Sequence, residues 1–202
     1  ALITLADDAA KPLFGRIAAA FAIKQGTKAE VSRNLLCSLA GSNDNIRPYG
    51  IRALFDREGG AYNDNEMRFL LDGTMKPDSR TQLESIIGYA RSGREDRAYF
   101  VLRHLGNNDP VIAHTAIQVL AGLKAYNHCF KVLDEGDWSS TQRTGALLAL
   151  MRIHEPAVVD GLIARLEKET DSARRRGLLS ALCRLHFHEG PWKGDSWGTR
   201  PD

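Results

Sequence analysis

The residues best suited to chemistry stand near the end of the chain, where His186-Phe187-His188-Glu189 puts two imidazoles and a carboxylate within four positions. Such a donor set suits zinc or iron. On a helix, residues i and i+2 point about 200° apart, so His186 and His188 share an ion only if the helix stops by residue 186 and the chain then runs extended. Helix-end or surface histidines are the plainer reading, with a metal- or haem-contacting module as the alternative. His104, His114, His128 and His154 are scattered, and no pair has the i, i+4 spacing of helical metal ligands. A nucleophilic site needs Ser or Cys beside a base. Cys37, Cys129 and Cys183 instead stand among apolar neighbours (Leu35-Leu36-Cys37, Cys129-Phe130, Leu182-Cys183), where cysteine acts as a small core side chain. Widely spaced, odd in number and without a C-x-x-C pair, they supply neither a disulfide framework nor a zinc site. The sequence has no Gly-rich phosphate loop and no H-E-x-x-H. No catalytic residue, metal or cofactor is therefore expected in this segment.

What recurs instead is arginine in a fixed register. The apolar pairs Ala22-Ile23, Ala53-Leu54, Ile86-Ile87, Val119-Leu120, Ala149-Leu150 and Ala181-Leu182 follow one another at steps of 31, 33, 33, 30 and 32 residues. Seven positions before the second member of each pair stand Arg16, Arg47, Arg80, Ala113, Arg143 and Arg175. Guanidinium groups repeated along one edge could bind an anionic ligand. The reading preferred is a stacking ladder, Arg16, Arg47, Arg80, Arg143 and Arg175, in which each reaches the preceding Asp or the carbonyls of the neighbouring unit.

The elements that must position these residues are helical. Tyr99, Leu102 and Leu105 are three apart, and Leu162, Ile163 and Leu166 form one helical face, whereas no segment alternates as a strand does. The spacing predicts first helices over 10–25, 45–58, 78–92, 108–123, 139–153 and 171–187, with partner helices over 28–40, 64–75, 94–105, 126–135 and 156–168. Thr27 with Glu30, Asn63 with Glu66, Ser79 with Gln82 and Ser139 with Gln142 read as capping boxes, and Pro110 and Pro156 as first helical residues. Gly26, Gly41, Gly59-Gly60, Gly93, Gly106 and Gly136 read as stops that can take positive φ. Linkers this short make consecutive helices antiparallel neighbours.

A helix pair every 32 or so residues, with Asp in the turn and Arg within the helix (Asp44/Arg47, Asp78/Arg80, Asp137/Arg143, Asp171/Arg175), resembles the HEAT-repeat family. Unit four, with Asp109 but Ala113, departs from the pattern. The resemblance implies an all-α fold, a right-handed α-solenoid of about six antiparallel pairs over 1–188. The sixth unit reads as lacking a second helix, and an irregular Gly/Pro/Trp-rich strap or linker follows over 189–202. Gly194-Asp195-Ser196-Trp197-Gly198-Thr199-Arg200-Pro201-Asp202 resembles the segment after the helical repeats of large planctomycete and verrucomicrobial proteins. In those, a β-propeller is joined to a C-type cytochrome domain. That likeness implies a periplasmic or extracytoplasmic setting, with haem and redox chemistry outside this segment.

Composition agrees with a packed domain: 202 residues, 43% apolar and 26% charged, net charge +2. No run approaches the about 20 apolar residues of a membrane span, and a start without Met or a basic leader reads as a segment of something longer. Nucleic acid is disfavoured as a partner, because the only dense basic run is Arg174-Arg175-Arg176 and the residues after Leu36, Leu71, Leu102 and Leu133 (Cys37, Asp72, Arg103, Asp134) alternate in sign. The expected role is a non-catalytic scaffold or protein-interaction module. Its partner, a protein or a neighbouring domain of the same polypeptide, would lie along a concave face of second helices lined by Arg33, Arg68, Asp72, Arg97, Arg103, Lys131, Asp134 and Arg165. A helical-repeat enzyme such as a DNA glycosylase or a bilin lyase is the second reading. Trp192 and Trp197 are expected to dock on the last repeat. Deleting 189–202 should then lower the melting midpoint by several degrees, and an unchanged midpoint would mark a free linker.

Overall fold

The computed structural model describes residues 1–56, 62–76 and 78–187, with the backbone alone for 29–31. Its α-helices are α1 (Leu2–Asp7), α2 (Leu13–Gly26), α3 (Ala29–Gly41), α4 (Arg47–Phe55), α5 (Asp64–Thr74), α6 (Ser79–Ser92), α7 (Tyr99–Leu102), α8 (Pro110–Gly122), α9 (Tyr126–Asp134), α10 (Ser140–Leu150), α11 (Pro156–Lys168) and α12 (Ser172–His186). No strand occurs among the described residues. Ten of the twelve fall where the sequence puts them, α7 fills only part of an expected span, and α1 is additional. The partner helix expected over 94–105 is instead a 3-10 turn, Glu95–Arg97, followed by the single turn of α7. Ala98, Val101, Leu102 and Leu105 are buried there at the helical i, i+3, i+4 and i+7 spacing, which is what the sequence shows, and His104 is buried beside them.

Local chemistry sets the helix starts. Asn63 and Ser139 form complete capping boxes with Glu66 and Gln142. α6 does not open on Ser79 as expected: Asp78 accepts from the N–H groups of Arg80 and Thr81, since a carboxylate at a helix N-terminus outdoes a hydroxyl one residue later. Thr27 does not cap α3 either, because its hydroxyl donates to Ile23 O at the end of α2. The Glu30 side chain, Gly59 and Gly60 lie outside the described residues. Of the glycine stops within them, only Gly93 takes a left-handed conformation, with φ 63°; Lys124 takes one unexpectedly, at φ 52°.

The first helices α2, α4, α6, α8, α10 and α12 pack each on the next as one row, and α1, α3, α5, α7 and α9 form a second row, continued by α11. Within this two-layer solenoid the most extensive antiparallel contacts are α1 with α2, α3 with α4, α5 with α6, α9 with α10 and α11 with α12. The pairing is thus one helix out of phase with the sequence reading. α12 does not lack a partner; it completes a sixth hairpin with α11. A continuous core follows the stack, with Ile51, Leu54, Leu70, Ile86, Leu102, Leu120 and Leu150 all buried. A smaller cluster of Ala6, Ala20, Ile23, Leu39 and Ile46 joins the first two hairpins.

The tightest approach of a helix to another's backbone is α3 to α4 at Gly50, where a Cβ would stand 2.6 Å from both Ala40 N and Leu39 C. Backbone cannot yield as a side-chain tip can. Gly50→Ala is therefore expected to destabilise by about 1–3 kcal/mol, read as a melting midpoint lower by several degrees. Gly122→Ala, with nothing within 4 Å of the new methyl group, should leave the midpoint unchanged or raise it slightly.

Candidate functional site

A helix leaves its last four carbonyls without an intrahelical donor. In this chain the repeated arginines supply donors. Arg143, on α10, donates from Nε to Trp138 O (3.2 Å), from Nη1 to Leu133 O (2.5 Å) and from Nη2 to Glu135 O, so it closes the end of α9. Arg175, on α12, donates from Nη1 to Leu166 O and Glu169 O, both at 2.8 Å, at the end of α11. Arg47, buried, reaches Gly41 O at 2.9 Å, and Arg16 reaches Ala6 O at 3.1 Å. A planar cation with five donors suits the negative end of a helix dipole. All four contacts lie inside a hairpin, and the route to the preceding Asp is not taken. Asp171 and Asp78 cap their own helices, and Asp44 pairs with Arg16, whose guanidinium holds the carboxyl below its ordinary range. Arg80 departs from the register: it lies over the Tyr49 ring at 4.7 Å, while Gln82 reaches Lys76 O.

A second set of contacts crosses from one repeat to the next. Arg33 grips Glu66 through two bonds of 2.9 and 2.7 Å across 33 positions. Arg97 meets Asp64 at 3.1 Å, also across 33 positions, and His128 Nδ1 stands 3.1 Å from Glu95 at the same interval. Arg165 holds Asp134 at 2.7 and 2.5 Å across 31 positions. Lys24 with Asp56 and Lys124 with Glu155, both at 2.5 Å, repeat the pattern on the first-helix row across 32 and 31 positions. Alternating sign along the helices is thus what lets each repeat neutralise the next. Arg33, Arg97, Asp134 and Arg165 are committed to these pairs. The other proposed surface residues, Arg68, Asp72, Arg103 and Lys131, are exposed; Arg68 lies 5.3 Å from the Phe69 ring and Arg103 against the Met75 sulfur.

Between the last two hairpins the stack opens into a groove of about 440 Å³. Leu133, Leu147, Ala164 and Leu178 make its apolar floor. Arg143, Arg165, Lys168 and Arg174 outnumber Asp134 and Glu169 around it. Arg165 is neutralised by Asp134 and lies 3.9 Å from the Phe130 ring, and Arg174 stands 3.9 Å from Glu169. Arg143 bonds only to neutral carbonyls, and Lys168 is exposed with no ion pair among the described residues, so two positive charges remain uncompensated. No nucleophile stands beside a base here. A carboxylate next to an apolar side chain would fit.

The remaining candidates are not brought together. Cys129 is fully buried, and burial pushes its thiol up to about 12; Cys37 is half-buried and Cys183 exposed. His186 closes α12, whereas His188, Glu189, Trp192 and Trp197 lie outside the described residues. No group of three or more His, Cys, Asp or Glu able to hold a metal occurs among the described residues. The sequence reading missed His104, which is 4% exposed with Nε2 unpartnered. Nothing in its spacing in the sequence singles it out.

No family model matches the chain, and no curated protein does. Among solved structures, an engineered protein from the Northeast Structural Genomics Consortium superposes with a TM-score of 0.51 at 15% identity, covering 92% of this chain and 95% of that one. A designed armadillo repeat protein superposes with the same TM-score at 11% identity, covering 91% and 98%. At such identities the likeness shows the fold alone, an armadillo-like helical repeat. The resemblance of Gly194–Asp202 to the planctomycete and verrucomicrobial proteins gains no support from these comparisons.

Two outcomes follow from the geometry. Replacing Arg143 with methionine keeps the stem and removes three carbonyl contacts, at an expected cost of about 1–3 kcal/mol in urea unfolding. Burial lowers the His104 pKa from 6.5 to about 4, so the unfolded chain takes the proton first. Stability present above pH 6.5 is then lost as pH falls towards 4, by on the order of 3 kcal/mol. His104→Leu should flatten that acid limb in urea midpoints measured at pH 7 and pH 5.

Proposed function

We propose that the chain is a non-catalytic protein-interaction scaffold whose partner enters the groove between the last two hairpins. The observation that supports this most is the uncompensated charge of Arg143 and Lys168 over the floor of Leu133, Leu147, Ala164 and Leu178. Elsewhere along the stack, Lys24, Arg33, Arg97 and Lys124 are met by acids one repeat away. The chemistry called for is a polypeptide segment carrying carboxylates beside a large apolar side chain. Duplex nucleic acid is a poorer fit, because phosphate-dominated binding needs a run of unpaired cations. The finer version, a spacer next to a C-type cytochrome domain in an extracytoplasmic protein, draws only on Gly194–Asp202 and is tested by reading the parent gene.

A fluorescein-labelled peptide alternating glutamate and leucine, with its lysine–leucine counterpart, tests the groove by fluorescence polarisation. The acidic peptide should bind saturably and more tightly at low salt. Lys168→Glu should weaken it by about fivefold or more, roughly 1 kcal/mol, with the melting midpoint unchanged. Equal binding of both peptides, no binding, or indifference to Lys168→Glu would rule the groove out. Salt-sensitive binding of duplex DNA would favour the glycosylase-type reading.

A further inference from the structure

In five of the six first helices a side chain of the first turn reaches back to a carbonyl at the end of the helix before it. Arg16, Gln82, Arg143 and Arg175 are each the fourth residue of their helix, and Arg47, the first residue of α4, does the same for Gly41 O. In α8 the fourth residue is Ala113, which has nothing to donate. Arg143, 30 positions on, shows which carbonyls Ala113 leaves without a donor. Arg143 bonds to Leu133 O, Glu135 O and Trp138 O, and the same offsets from Ala113 fall on Arg103 O, Leu105 O and Asn108 O. Arg103 O receives only Gln142 Nε2, from the following hairpin and at 3.4 Å. Leu105 is 3% exposed, and its carbonyl accepts no hydrogen bond among the described residues. A buried carbonyl left in that way is uncommon, because it has given up its bond to water for nothing.

The space for a donor is present as well. Between α8 and α10 lies a groove of about 330 Å³ whose walls include Ala113, Ile117, Thr141 and Gly145. Their counterparts in the repeat register are Arg143, Leu147, Ala173 and Gly177, which line the crevice between α10 and α12. The same groove thus occurs twice, with a guanidinium in one copy and a methyl group in the other. Leu105 also lines the α8–α10 copy, and its oxygen lies beside Gly145, where a Cβ would stand 2.8 Å from it. Among the described residues no charged side chain lines this groove, so no cation stands there to repel another. Thr141 and Thr144 bring hydroxyl oxygens that can accept further bonds.

We infer that the α8–α10 groove takes an arginine side chain from a partner polypeptide, whose guanidinium supplies the donors that Ala113 lacks. Arginine suits it better than lysine for the reason that Arg143 illustrates: carbonyls in several directions need donors spread across one rigid plane, which an ammonium on a flexible stem does not offer. The site stands on the row of first helices and is separate from the groove between the last two hairpins. Titration of the isotopically labelled full chain with N-acetyl-arginine amide, followed by NMR, tests this, with the lysine and citrulline analogues as comparators. Arginine should shift the amide signals of Leu105, Ala113 and Thr144 saturably, and both analogues should bind at least about fivefold more weakly. Ala113→Arg places the donor in the chain itself. It should abolish those shifts and melt higher than Ala113→Met, which adds a stem without a donor. Shifts that lysine matches, shifts that lie elsewhere, or arginine binding that survives in Ala113→Arg would overturn the inference. So would an unaltered chain that ignores arginine while Ala113→Arg is stabilised, since the missing donor would then be a packing defect and no site. The comparison of arginine with lysine on the unaltered chain decides the matter even if Ala113→Arg does not fold.

Discussion

Each hairpin in this chain has apolar side chains on two sides and can bury neither by itself. Everything else depends on that constraint. The hydrophobic contribution, about 25 cal/mol per Å² of apolar surface removed from water, is realised only when α4 lies on α2, α6 on α4, and so on to α12. Ile51, Leu54, Ile86, Leu120 and Leu150 are buried through neighbours rather than within their own helix. The core is therefore a line, extending by addition.

Two polar systems accompany the stack and do different work. Arg16, Arg47, Arg143 and Arg175 act within a hairpin, satisfying carbonyls at the end of the helix before them. The ion pairs act between hairpins, at the interval of the repeat itself. Exposed pairs of that kind contribute about 0–1 kcal/mol each, so they select register more than they add stability. Glu66 is the exception in kind: buried to 2% exposure, held by both guanidinium bonds from Arg33 and also closing the capping box of α5, it ties α3 to the start of α5.

The last two hairpins are where this regularity relaxes. Gly161 lets α11 approach the Phe130 ring, yet the floor between α9, α10, α11 and α12 stays open. The Arg174-Arg175-Arg176 run makes α12 the most polar of the first helices on its exposed sides, and only Leu178, Ala181 and Leu185 are buried. A groove with an apolar floor and surplus positive charge results where α12 stacks less completely on α10 than α6, α8 and α10 do on the helices before them.

Much of this was open to a reading of residues alone. Helicity, the interval near 32 and the placement of ten helices follow from local spacing and caps, which depend on neighbours in sequence. The arginine register was visible too, because a repeated backbone geometry repeats the side chain that satisfies it. Phase was not: whether α11 pairs with α10 or α12 depends on how closely two surfaces fit, and a period is the same for either choice. Nor was the commitment of Arg33, Arg97, Asp134 and Arg165, since a charge on a helix face becomes a binding group or a brace according to what the next repeat sets opposite it. His104 and the groove were decided by packing alone, as burial and empty space belong to the assembled helices and to no single segment.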